Sequence, residues 1–156
     1  MCEYCGCQSI PAIRELTSEH DAVVDQIGEV TRRLGDGNTA AAAEACRRIT
    51  RILVPHTAVE EYGLFPAMAA EFPDQVESLQ QEHRAIEAVL AECAAGTPPD
   101  PGWPERVLRA LDLLREHILK EQDGVFPAAL SVLRDDDWTL VDDIRDRVGN
   151  GLAPSP

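Results

Sequence analysis

A twelve-residue segment of this chain occurs twice. His56-Thr57-Ala58-Val59-Glu60-Glu61-Tyr62-Gly63-Leu64-Phe65-Pro66-Ala67 lines up with His117-Ile118-Leu119-Lys120-Glu121-Gln122-Asp123-Gly124-Val125-Phe126-Pro127-Ala128 at an offset of 61, with His, Glu, Gly, Phe, Pro and Ala in common. A shorter match precedes each copy: Glu19-His20 aligns with Glu82-His83 at an offset of 63. The sequence therefore reads as two helix pairs related by a pseudo-twofold axis. Each pair supplies one lone histidine and one His-x-x-x-Glu, and these positions take up all 4 histidines of the chain.

The segments carrying the repeat have helical periodicity. Ile13, Leu16, His20, Val23, Ile27, Val30 and Leu34 recur at three- and four-residue steps, the stripe of an amphipathic helix, and Gly35-Asp36-Gly37-Asn38 breaks it. A second stripe, Cys46, Ile49, Leu53, His56, Glu60 and Gly63, follows the helix-favouring Ala40-Ala41-Ala42-Ala43 and ends near Phe72-Pro73. Pro55, inside it, is expected to kink the helix just before His56. Asp74 is expected to cap a third stripe, Val76, Leu79, His83, Ile86, Leu90 and Cys93, which stops at the Pro- and Gly-rich loop 96–102. The fourth runs through Val107, Ala110, Leu114, His117, Glu121, Gly124 and Ala128. Trp138, Val141, Ile144 and Val148 suggest a short fifth helix lying against the others.

Short loops between long helices favour antiparallel neighbours, so the expected fold is all-α, an antiparallel up-down-up-down four-helix bundle with a short C-terminal fifth helix. The expected organisation is a Cys-rich tail over 1–10, the bundle over 11–133, and the short helix and tail over 134–156.

Residues four apart on a helix lie ~6 Å apart along the axis and ~40° apart around it. His56 with Glu60, and His117 with Glu121, thus project from one face each, while His20 and His83 sit in the apolar stripes of their own helices. Burying four imidazoles and two carboxylates at one level costs several kcal/mol per unpaired group unless something neutralises them. Metal ions do so. Imidazole and carboxylate without thiolate suit iron, manganese or zinc, and six converging ligands suggest two ions. Ferritin-like bundles use a Glu-x-x-His step and a carboxylate majority, unlike the histidine majority here.

Charge excludes one class of partner: 28 acidic residues against 14 basic ones give a net charge of −14, unsuited to phosphate backbones. No apolar run approaches the ~18 residues of a membrane span, and Met1-Cys2-Glu3-Tyr4 has neither a basic flank nor an apolar leader core, so a soluble cytoplasmic protein is expected, as monomer or dimer.

With His20, His56-x-x-x-Glu60, His83, His117-x-x-x-Glu121, the Glu60-Glu61 pair and the Phe-Pro after each glutamate, the chain resembles the hemerythrin-like, or HHE cation-binding, domain over residues ~11 to 133. The resemblance implies two iron ions on His20, His56, His83 and His117, bridged by Glu60, Glu121 and a solvent-derived oxo or hydroxo group, with an open position for dioxygen or a related small molecule. The chain departs from oxygen-carrying hemerythrins, which have a fifth histidine in a His-x-x-x-His pair and an aspartate five residues after the last histidine. Here the residues four away from His83 are Leu79 and Glu87, and Glu121 is four residues beyond His117. One imidazole fewer favours reaction over reversible carriage.

Glu87 reads equally as a replacement ligand or a solvated helix position. Glu61 is a candidate acid or base behind the ligands, although its spacing sets it off the metal face, and Tyr62 is turned ~200° from that face toward packing. Cys2, Cys5 and Cys7 crowd into six residues, where thiols bind a soft metal, form a reversible disulfide or simply line an exposed tail. They are read as a redox accessory to the centre, with an additional metal there left open; Cys46 and Cys93 fall on helical stripes and are expected in the core. The functional expectation is a di-iron protein that binds or reduces a small oxidant, dioxygen, hydrogen peroxide or nitric oxide, with peroxidase- or catalase-like turnover in view. The alternative is a sensor of iron, oxygen or redox state without turnover.

Overall fold

The computed structural model describes residues 10–152, and among these there is no strand. Helix α1 spans Pro11–Gly35, with proline at its start, where a missing N–H leaves no bond unmade. Asn38 accepts the Ala41 N–H at 3.1 Å and caps α2, Thr39–Val59. Helix α2 continues through Pro55 without ending.

The second stripe is not one regular helix. A π-helical turn occupies Glu60–Leu64, and α3 then covers Phe65–Ala69. The fourth stripe repeats this: α5 spans Trp103–Lys120, a π-turn covers Glu121–Val125, and α6 covers Phe126–Val132. In both, a phenylalanine N–H reaches back five residues, Phe65 to the Glu60 carbonyl and Phe126 to the Glu121 carbonyl. The cause is the next residue. Pro66 and Pro127 have no N–H, and their rings clash with the carbonyl four residues back, so the turn widens there.

Asp74 does not cap the third stripe: α4 runs Pro73–Leu90, its N-cap position is Phe72, and Asp74 lies in the first turn, where its charge favours the positive end of the helix dipole. A short 3₁₀ turn, Ala91–Cys93, completes that stripe. The fifth helix, α7, spans Asp135–Val148. It packs on the first π-turn and on α1 and α2, and the close approach is at Gly63: a Cβ there would stand 3.0 Å from Val141 Cα.

Two apolar clusters build the core. One contains Val23, Ile49, Leu53, Ile86, Trp103 and Leu114; the other contains Leu16, Val59, Phe65, Leu79, Phe126 and Val141. Along each long helix the histidine falls between them: His20 between Leu16 and Val23, His83 between Leu79 and Ile86. The bundle thus has a polar layer between two oily ones. Cys46 and Cys93 are both free thiols in the first cluster, as expected. No helix among the described residues is long and apolar enough to cross a membrane.

Candidate metal centre

The polar layer consists of His20 from α1, His56 from α2, Glu60 at the first π-turn, His83 from α4, His117 from α5 and Glu121 at the second π-turn. All six are buried. Their ligand atoms fall into two groups, each with its atoms within 4.8 Å of one another: His20, His56, Glu60 and Glu121 in one, and Glu60, His83, His117 and Glu121 in the other. Both carboxylates belong to both groups. Sequence could not divide the histidines, because the halves are alike; the fold pairs His20 with His56, ring centroids 4.7 Å apart, and His83 with His117, 4.6 Å apart.

Each Nε2 faces the layer's centre. His56 and His83 stand 3.2 and 3.4 Å from Glu60 Oε1, and His20 and His117 stand 3.1 and 3.3 Å from Glu121 Oε1. Each Nδ1 faces outward to an acceptor: Glu19 for His56 and Gln122 for His20, both at 3.1 Å, Glu61 for His83 and Glu82 for His117, both at 3.0 Å. An outward Nδ1–H leaves the inward Nε2 with its lone pair, as a metal ligand requires. The phenylalanines of the repeat hold the lone histidines from behind: Phe126 stacks on His20 at 5.6 Å and Phe65 on His83 at 5.9 Å.

The π-turn accounts for Glu61. The extra residue in the turn lets Glu60 face the centre while Glu61 still reaches His83 and the Arg84 guanidinium, the latter at 2.9 Å. Glu61 belongs to neither ligand group and acts through His83. Glu87 also lies outside both groups; it is about half exposed, 3.7 Å from Arg84, and lines a cavity beside the four histidines. Tyr62 is 65% exposed, away from both the centre and the packing expected of it. Cys2, Cys5 and Cys7 lie outside the described residues. Sequence reasoning matched Glu19 with Glu82 but gave neither a role; their place one residue before each lone histidine was the available signal.

Metal-free, this layer is a dense set of charges. Burial would lower the His56 pKa, but Glu60 and Glu19 overcome that and push it up to about 10. His117 is likewise pushed up to about 9, against burial, chiefly by Glu121. Burial opposes ionisation of Glu121, yet the His117 charge holds it well below the usual carboxylate range. Even so, both oxygens of Glu60 and Oε2 of Glu121 are buried without a hydrogen-bond partner. Apart from the 3.1 Å contact of His20 Nε2 with Glu121 Oε1, the inward imidazole nitrogens stand near carboxylate oxygens that they do not bond, all aimed at common points, which is what a cation between them requires.

Two such points with shared carboxylates, set inside helices, define the class as a helical metal-binding domain with a buried histidine–glutamate centre. The hemerythrin HHE cation-binding domain matches residues 12–129, and the chain belongs to that family. No curated protein and no solved structure matches the chain.

Proposed function

We propose that the centre holds two iron ions, one on His20 and His56 and one on His83 and His117, spanned by Glu60, Glu121 and a solvent-derived oxo or hydroxo bridge, and that it binds or reduces a small oxidant such as dioxygen, hydrogen peroxide or nitric oxide. The observation that carries this is the presence of both buried glutamates in both ligand groups, with three of their four oxygens otherwise unsatisfied. A single ion would use one histidine pair and leave the inward nitrogens of the other with nothing to ligate. In the same reading the four long helices alternate in direction, so that both halves present their ligands at one depth.

A reduced iron pair would supply two electrons to the oxidant. The chain's own residues then decide what gets there. Leu53, Ile86, Leu114 and Ile118 line the cavity beside the histidines, whose volume is about 10 Å³ measured as the space open to the centre of a water-sized molecule. That is room for about one water, so the lining selects diatomic or peroxide-sized reactants and keeps bulk solvent out. Glu87, on the same lining yet half exposed, is placed to exchange protons with solvent. The outward acceptors, three carboxylates and the Gln122 amide, hold each ring in its orientation.

Sensing without turnover has one observation in its favour: Arg145 of α7 donates to Glu19 at 2.5 and 3.1 Å, and Glu19 holds His56, so occupancy of the centre bears on that helix. The readings separate when iron-loaded protein is mixed with excess peroxide and excess ascorbate as electron donor, against a metal-free control. Decay that continues past many equivalents supports turnover; decay that stops after about one equivalent per iron pair supports sensing.

A further inference from the structure

The repeat that builds the centre is broken at one position touching it. Glu61, behind His83, aligns with Gln122, behind His20. Both side chains accept an Nδ1–H across the pseudo-twofold axis, but one carries a negative charge and the other does not. The surroundings follow the difference. Arg84, the cation on Glu61, aligns with Asp21, so the sequence offers a carboxylate at 122 no basic counterpart at the matching place.

A second observation on other residues points the same way. Glu82, behind His117, pairs with the Lys120 ammonium at 2.6 Å, and Lys120 is 52% exposed; Arg84 is 58% exposed. Solvent screens such cations, leaving Glu82 and Glu61 much of their negative potential at the imidazoles. Glu19, behind His56, is instead gripped by Arg145, which is only 12% exposed and contributes from α7, outside the repeat. A guanidinium so little exposed offsets the carboxylate it binds more fully than a solvent-facing cation does. Thus the His83–His117 pair is backed by two carboxylates with screened partners, whereas the His20–His56 pair is backed by one carboxylate held by a little-exposed guanidinium, which also reaches Glu15 at 3.4 Å, and by one neutral amide.

An anionic acceptor on Nδ1–H makes the opposite nitrogen a stronger donor, and outer partners of this kind alter metal affinity by about 10–100-fold. Resting on the two-ion reading above, we infer that the halves of the centre are unequal: the His83–His117 position is filled first and holds its ion more tightly, and the His20–His56 position is filled second and emptied first. Gln122 and Glu61 are the positioning residues that set this order.

The test is a titration of the metal-free full-length chain with cobalt(II) against a competing chelator, followed by the visible bands of the bound ion. Repulsion between neighbouring ions separates two uptake steps in any case, so the variants carry the decision. Glu61→Gln keeps an acceptor for His83 and removes the charge; it is expected to weaken the first step by about tenfold or more and leave the second in place. Gln122→Glu is expected to strengthen the second step only. If Glu61→Gln acts on the second step alone, or on neither, the ranking is overturned while the two-ion reading stands. A wild-type chain that takes up no cobalt contradicts the two-ion reading itself.

Discussion

Glu19 accepts the Nδ1–H of His56 at 3.1 Å from a position with no exposure to solvent. The same carboxylate receives two N–H groups of Arg145, so one side chain of α1 fixes a candidate ligand of α2 and anchors α7. Changing Glu19 to Ala removes the acceptor for His56 and leaves Arg145 only Glu15 and the Gly149 carbonyl, which costs about 1–3 kcal/mol of stability. Changing it to Gln keeps the acceptor, so the fold should survive, and metal affinity should fall by less than is expected of Glu61→Gln, because Arg145 already offsets much of the Glu19 charge. Thermal unfolding together with chelator competition on the two variants separates the effects.

The approach of α7 gives a second pair of outcomes. Gly63→Ala places a methyl 3.0 Å from Val141 Cα, against backbone that cannot yield without moving α7, and is expected to destabilise by about 1–3 kcal/mol. Gly124→Ala, at the repeat-equivalent position, meets nothing within 4 Å and should be neutral or stabilising by up to about 1 kcal/mol. Melting temperatures of both variants, measured side by side, check the contrast.

Much of this was readable in advance. The four stripes and the fifth helix follow from apolar spacing, and the six candidate ligands that the fold gathers in one layer follow from the repeat. The π-turns were not read, because periodicity reports which face a residue occupies, not whether its backbone bond spans four residues or five; the Phe-Pro in each repeat copy was the missed signal. Glu61 was read behind the ligands and off the metal face, and it lies there, on His83 Nδ1. The division of the histidines was out of reach of a symmetric sequence, and the cap assigned to Asp74 failed because Pro73 already meets the requirements of the first helical position.

That account of the π-turns is testable. Pro66→Ala restores a backbone donor and removes the ring clash, so the segment should relax toward an ordinary α-helix and swing Glu61 away from His83. Far-ultraviolet helicity is expected to stay constant while metal affinity falls about tenfold or more. Unchanged affinity would mean that the wide turn does not depend on the proline.

The raised histidine pKa values set opposite pH trends for the metal-free and loaded forms. His56 and His117 rise from 6.5 to about 10 and about 9 in the folded, metal-free protein. Their stabilising contribution is therefore full below 6.5 and is lost as pH climbs from there through about 10. Metal-free stability should fall over that window. Metal affinity should rise over the same window, because an ion must displace the proton that His56 or His117 carries. Denaturant midpoints at pH 6 and pH 9, with and without metal, read both slopes.

Elemental analysis of iron-supplied protein, purified without chelator, bears most directly on the two-ion centre. The account predicts about two irons per chain, and loss of both when Glu60 and Glu121 are changed together to Ala, since those two carboxylates serve both positions. One iron per chain, or retention of two irons by the double variant, would contradict it.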